Sequence, residues 1–326
     1  MKTLEELKEF YTNELSFGLK RLDTKRGQIM RNTVMAVCPI FILCLIPFCI
    51  AEHFHLIGAT KSLKIIFFLL IGAIILGVSK FRSNSVGYNT EFKQQVISKV
   101  IAFLEPGLRY EPFGLIDQTT FKTSELVNCD VDRYSGEDRV DGIIGKTQIT
   151  FSEVHAEYVT VTTNEGKTRA QWHTIFKGLF FVADFNKDFH GQTLVFPDTA
   201  EKLFGGLGRM LQSWNSGRMD LIKLEDLGFE REFVVYGSDQ IEARYILSTS
   251  LMRRILDFKK KTRTKIYLSF SGSKVYIALP KKYIFKPKYF SSLSDFTPIR
   301  NYYQDLALAI GIVDDLNLNT RIWTKE

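Results

Sequence analysis

Residues 33–51 read TVMAVCPIFILCLIPFCIA, nineteen positions without a charge. A helix of that length, at about 1.5 Å per residue, approaches the thickness of bilayer hydrocarbon, so the run predicts a transmembrane helix. Pro39 and Pro47 each remove an intrahelical hydrogen bond, and a kink or frayed end is expected there. Further along, residues 65–79 read IIFFLLIGAIILGVS, fifteen uncharged positions. Lys61 and Lys64 can snorkel to a headgroup interface, and counting from Leu63 gives a second span, 63–79, with a buried core helix as the alternative for so short a run. Residues 52–62 then form a short external loop.

Charge sets the orientation. Lys20, Arg21, Lys25, Arg26 and Arg31 precede the first span and Lys80, Arg82, Lys93 and Lys99 follow the second, so the positive-inside bias places both termini in the cytoplasm. The chain has a net charge of +7, and residues 1–105 hold 13 basic and 8 acidic side chains against 30 and 28 in residues 106–326. Most of the excess flanks the apolar runs, where topology accounts for it without a nucleic-acid partner. About thirty polar, helix-like residues precede the first run, which does not fit a cleaved leader. Cys38, Cys44 and Cys49 fall in the first run and only Cys129 in the remainder, a placement that predicts no disulfide.

Helical periodicity extends to both sides of the apolar runs. Leu4, Leu7, Tyr11, Leu15, Leu19 and Leu22 recur every three or four residues, as do Tyr88, Phe92, Val96, Val100 and Leu104 before Pro106-Gly107. A hairpin would bring these stripes side by side, as an amphipathic helix over 1–32 and a stalk helix over 80–105; attachment of the first helix to a membrane surface is the alternative.

From 106 to 326 the pattern changes. TQITFSEVHAEYVTVT, the turn at Asn164-Glu165-Gly166 and QWHTIFKGLFFVADF read as a β-hairpin, and KIYLSF-SGS-KVYIAL as a second. In the first, Val154 and Tyr158 have the opposite parity to Ile149 and Phe151, so that strand is covered on both faces or interrupted near its middle. GQTLVF adds a strand, and DLIKLEDLG and FEREFVVYG one or two more. Helices are expected over Asp117–Leu126, from Asp239 to about Lys261 with Ser238 as N-cap, and over Pro298–Leu316 with Thr297 as N-cap. Ile241, Tyr245 and Ile246 would lie near a single face of the second. The fold class expected is therefore α+β: an N-terminal two-helix transmembrane hairpin with a helical stalk, followed by a mixed α+β cytoplasmic domain rich in β-hairpins.

Residues 253–326 carry 15 basic and 6 acidic side chains. Arg253, Lys259, Lys260, Lys261, Arg263 and Lys265 are the candidate contacts to anionic lipid, the bland reading being a solvated helix end partly paired with acidic groups. Candidates for chemistry are sparse. His155 and His173 sit on strands joined by a hairpin and would meet only if they faced each other. DVDRYSGEDRVDG, read as a polar loop, and Asp184-x-Asn186-x-Asp188, read as a hairpin turn, resemble Ca²⁺ loops in spacing. Counted from Asp184, however, Phe189 and Val195 occupy the positions where an EF-hand needs glycine and glutamate. FGGLGR at 204–209 lacks the Lys-Ser/Thr of a phosphate loop. A hydrolytic or metal-dependent enzyme would need Glu137, Asp138, Asp141, Asp184 or His173 to be brought together by neighbouring hairpins. The sequence supports no named enzyme, no cofactor and no nucleic-acid partner.

The blocks Gly136–Phe151, Phe176–Pro197 and Phe229–Ile255, following two apolar runs, resemble the bacterial membrane family known as domain of unknown function 3137 (DUF3137). The resemblance implies an inner-membrane, multi-pass protein without established catalytic residues. It also implies a LemA-like helical membrane protein as a candidate partner, beside the lipid bilayer itself. The function it points to is an interaction or scaffold module at the cytoplasmic face of the inner membrane, with Asp239, Glu242, Arg244 and Arg254 as the candidate interaction surface. An anionic-lipid-binding domain is the alternative.

Overall fold

The structure is a computed structural model and describes residues 2–53, 59–127, 129–164, 167–185, 188–198, 219–280, 285–293 and 295–319. The chain divides into two compact units, Lys2–Lys99 with Lys286–Asn301, and Val100–Phe285 with Tyr302–Glu326.

The first unit is helical. A capping box opens it: the Thr3 hydroxyl accepts from the Glu6 N–H, and the Glu6 carboxylate accepts from the Thr3 N–H, which starts the helix Leu4–Phe10. Through a π-helical turn, Tyr11–Leu15, this runs into the helix Ser16–His53; the returning helix Ala59–Phe92 ends in a second π-helical turn, Lys93–Ile97. Gly18 lies beside Gln95, Lys25 pairs with Glu91, and Val37 meets Gly77. As one number rises the other falls, so the long helices are antiparallel. They bury Leu7, Leu15, Leu19 and Leu22 on one side and Tyr88, Phe92 and Val96 on the other, while Leu4 is left 47% exposed. Segment 286–301 packs on them. Tyr289 sets its ring 4.7 Å from that of Phe81, and its carbonyl accepts from Arg26 at 2.8 Å.

Among the described residues no helix is long and apolar enough to cross a membrane. This overturns the reading of 33–51 and 63–79 as two spans, and with it the multi-pass inner-membrane placement and the transmembrane hairpin in the expected fold class. Both runs are embedded in the longer helices Ser16–His53 and Ala59–Phe92, whose lengths were set by periodicity beyond the apolar stretch. Many side chains of the runs, including those of Cys44 and Cys49, and residues 54–58 of the expected external loop lie outside the described residues. Among the described side chains there, Met35, Phe68, Ile74 and Ile75 are exposed.

The second unit is built on nine strands: β1 Leu108–Glu111, β2 Arg133–Ile144, β3 Thr147–Asn164, β4 Lys167–Asp184, β5 Gln192–Pro197, β6 Asp220–Ile222, β7 Phe233–Gly237, β8 Tyr267–Ser271 and β9 Lys274–Leu279. They form one sheet in the order β1-β2-β3-β4-β9-β8-β5-β7-β6, and every neighbouring pair is antiparallel. The segment expected as a polar loop, DVDRYSGEDRVDG, is largely β2. Its alternation is broken by a bulge between Glu137 and Val140, with Asp138 at φ 66°, and this hid the strand.

Both faces of the central sheet are covered, as the mixed parity of β3 requires. One face carries Val154, Phe180, Val182, Leu194, Phe196 and Tyr276, packed with Ile116, Phe121, Leu126 and Val131 from the chain before β2. Residues of the opposite parity, such as Phe151, Phe181, Leu268 and Ile277, are buried as well. The amphipathic helix Thr249–Thr262 buries Leu251, Met252, Ile255 and Phe258, one stripe at helical spacing. β3 and β4 outrun their neighbours. β2 follows β3 only to Glu157, and β9 follows β4 only from Leu179, so residues from Tyr158 to Thr174 form a two-stranded arm. At its root the Arg133 guanidinium lies 3.7 Å over the Trp172 ring.

The expected helices are shorter or divided. Asp117 caps Gln118–Thr123. The segment after Gly237 is two helices, Gln240–Ile246 and Thr249–Thr262, broken at Leu247 and restarted by the Ser248 cap. The N-cap of the first is Asp239, not Ser238, whose hydroxyl instead accepts from the Gln192 N–H. The last helical segment begins at Phe296, before Thr297 and Pro298, and is divided into Phe296–Ile310 and Ile312–Asp315.

Candidate functional site

The short helix Gln240–Ile246 is fixed to the sheet unit on three sides. Asp239 accepts from the N–H groups of Ile241 at 2.8 Å and Glu242 at 3.0 Å, which satisfies the free donors of the first turn. Glu242 accepts from the N–H groups of His190 at 3.0 Å and Gly191 at 2.7 Å. Arg244 donates to the Lys223 carbonyl at 3.4 Å. Inward, Ala243 is fully buried, and a Cβ placed at Gly237 would come 3.4 Å from it. This close approach of helix and strand turns Ile241 and Tyr245 outward, 81% and 46% exposed, with only Ile246 of the expected apolar trio buried.

Ile241, Arg244 and Tyr245 stand at i, i+3 and i+4, the spacing of one helix face. Arg244 also lines an open groove of ≈ 850 Å³ between the segment Leu224–Gly228, the residues Leu247–Thr249 and Met252. Leu227 in that groove is 69% exposed, and Leu221 on the sheet's outermost strand, β6, is 50% exposed. Leu227 and the Arg244 guanidinium thus line one concavity, with the carboxylate-bearing Glu225 and Asp226 also in its wall. Of the four residues expected as an interaction surface, Asp239 and Glu242 hold the local fold, Arg244 lines the groove, and Arg254 donates to the Asp315 carbonyl at 3.5 Å, at the end of the last helix. Sequence reasoning placed Ile241, Tyr245 and Ile246 near a single helix face, and the structure separates them, with Ile246 buried and the other two exposed.

The basic set gathers at the last turn of Thr249–Thr262, where cations favour the helix dipole. Lys259 pairs with Glu232, Lys260 with Asp257 at 3.6 Å and Lys261 with Asp315 at 2.6 Å. Arg263 is the left-handed C-cap, Arg253 is exposed, and Lys265 is half-buried.

The residues of the expected hydrolytic set do not converge. Asp184 and His173 lie on the same strand eleven positions apart, roughly 36 Å at β-strand rise. Asp184 is opposite Lys274 and His173 opposite Tyr158, on whose ring it stacks; His155 is opposite Lys177 and does not face His173. Burial, with the Lys177 charge beside it, holds the His155 imidazole below its ordinary value. Asp141 is drawn to Arg109 and Arg139. The bulge does assemble Glu137, Asp138 and Glu153, with one carboxylate oxygen from each within 4.8 Å of the others. Asp138 is fully buried and accepts from the Tyr110 hydroxyl, whose pKa is pushed up by burial and then by the Asp138 charge. Three carboxylates are oxygen donors suited to a hard cation, but they fall short of the roughly six to eight ligands that Ca²⁺ takes. Asn186 and the 204–209 glycines lie outside the described residues.

No curated protein matches this chain. Among solved structures, the crystal structure of the mycobacterial trehalose monomycolate transport factor A, TtfA, is matched at 11% identity and a TM-score of 0.31, over 68% of this chain and 96% of that one. Residues 174–318, which run from the bulged half of β4 through the groove to the last helix, match the family described as "Protein of unknown function (DUF3137)". That stretch, under half of the chain, contains two of the three sequence blocks that carried the resemblance, Phe176–Pro197 and Phe229–Ile255.

Proposed function

We propose that this chain is a protein-interaction module rather than an enzyme, and that it receives a helix of its partner in the groove beside Arg244. The observation that carries this reading is the exposure of Leu227 in that groove and of Ile241 and Tyr245 on the short helix whose Arg244 lines it. Contiguous exposed apolar groups on a folded unit mark binding surfaces, and aliphatic and aromatic anchors beside a groove suit an amphipathic helix. Arg244 supplies a planar donor for an acidic position on the partner. A LemA-like helical membrane protein is the candidate occupant, as the family resemblance implies.

Binding between the purified full chain and a purified LemA-like protein in detergent tests this. The double variant Ile241→Asp/Tyr245→Asp should weaken the affinity at least about tenfold, the scale of lost interface anchors, and Ile241→Asp alone should weaken it with thermal unfolding unchanged, because that side chain is 81% exposed. Unchanged affinity would remove the reading.

A further inference from the structure

The groove beside Arg244 presents charge of both signs around an apolar floor. Leu247 and Met252 are buried and Leu224 is half-buried, and all three line it. Glu225, in the same lining, is exposed and makes no ion pair or side-chain hydrogen bond among the described residues. Its neighbour Asp226 accepts from the N–H groups of Gly228 at 2.9 Å and Phe229 at 3.0 Å, both through one oxygen, so the carboxylate is held in place without a cation. Arg244 is exposed too. It gives a single N–H to the Lys223 carbonyl, a long bond of 3.4 Å that leaves the charge of the guanidinium unneutralised.

These charges restrict what the groove can receive. A partner surface that covers them must supply opposite charges, because a charge taken out of water without a partner is costly and a like charge beside it is repelled. A helix flanked only by acids would meet Arg244 but be repelled by Glu225 and Asp226. One flanked only by bases meets the reverse. The N-terminus of the helix Thr249–Thr262 opens on the same concavity through Thr249, and its dipole adds to the positive side. Attraction to one charge pattern and repulsion of the others together give selectivity.

We propose that the groove selects an amphipathic helix of mixed charge, with a Lys or Arg placed for Glu225 and Asp226 and an Asp or Glu placed for Arg244 beside its apolar anchors. The selection rests on the reading of the groove as a helix site and adds the charge pattern that its occupant must carry.

Calorimetric titration of the full chain with three hydrocarbon-stapled helical peptides tests this. All share one leucine stripe, which is flanked by glutamates and lysines in the first, by glutamates alone in the second and by lysines alone in the third. The mixed peptide should bind about tenfold more tightly than either uniform one, the scale of exchanging exposed attractions for repulsions, and the gap should narrow as salt rises. Glu225→Lys should shift the preference to the glutamate peptide and Arg244→Glu to the lysine peptide; both positions are exposed, so the variants should fold. Equal affinity for all three peptides, a uniform peptide that binds best, or a preference unmoved by the two reversals would each overturn the charge assignment, and the groove reading would still stand if Ile241→Asp weakens the binding. No saturable binding of any peptide would overturn the charge assignment, and would overturn the groove reading as well if the purified LemA-like protein also fails to bind.

Discussion

The Glu242 carboxylate is joined to the Gly191 N–H at 2.7 Å, and its other oxygen takes the neighbouring His190 N–H at 3.0 Å. One side chain thus latches the entry to β5 onto the helix that carries Ile241 and Tyr245. Glu242→Ala leaves two backbone donors unmatched and should lower stability by about 2 kcal/mol, as expected for hydrogen bonds to a charged acceptor. Urea denaturation checks this. A binding defect in that variant would then trace to the displaced helix, whereas the defect of Ile241→Asp would not.

Gly136 tests the bulge. A Cβ there would lie 2.1 Å from the Glu153 carbonyl oxygen, whereas at Gly272 in the β8–β9 turn it would meet nothing within 4 Å, although φ is +61°. Gly136→Ala should therefore cost about 3 kcal/mol or more through backbone displacement, and Gly272→Ala only about 1 kcal/mol of left-handed strain. Equal melting temperatures for the two variants would contradict the register at β2 and β3.

In the helical unit, burial raises the pKa of Asp23, but the Leu293 N–H, the Arg26 guanidinium and the Ser292 hydroxyl outweigh it, and the carboxyl titrates below its ordinary 3.8. A depressed carboxylate contributes stability that is present above the unfolded-state value and is lost as the pH falls through the folded one. Asp23→Asn should flatten the acid limb of stability against pH below about pH 4. A wild-type acid limb retained in full would assign the dependence to other carboxylates.

Beyond Val159, whose N–H the Asp132 carboxylate accepts, the described residues of the β3–β4 arm pair with each other, and residues 160–163 and 167–171 are exposed. Replacing residues 160–171 by Asn-Gly, a pair suited to a two-residue hairpin turn, should leave the melting temperature within about 2 °C, because exposed positions contribute little. Global unfolding on deletion would show that the arm supports the sheet.

What was legible in the sequence was local. The hairpin turning at Gly272, the mixed parity of Val154 against Phe151 and the helix end before Pro106 all follow from turn chemistry and period. Strand order was not legible, because β9 inserts between β4 and β8 and β5 pairs with both β8 and β7, pairings set by long-range packing. Segment 286–301 carries no pattern that announces its contact with Asp23 and Tyr88. The apolar runs at 33–51 and 63–79 misled through composition: charge-free stretches were read as complete spans although helical periodicity continues past both ends. For the groove, Arg244 was visible as a charge within a distinctive block, while Ile241 and Tyr245 were grouped with Ile246 on one face because the break at Leu247 that makes the helix only seven residues long was not legible.

Photocrosslinking from position 241 tests the interaction reading most directly. With p-benzoylphenylalanine at Ile241 of the purified chain, illumination beside a purified LemA-like protein should yield a covalent heterodimer identified by mass. The same probe at Phe113, which is also exposed in the sheet unit, should yield none. No adduct at 241, or equal adducts at both positions, would contradict the account.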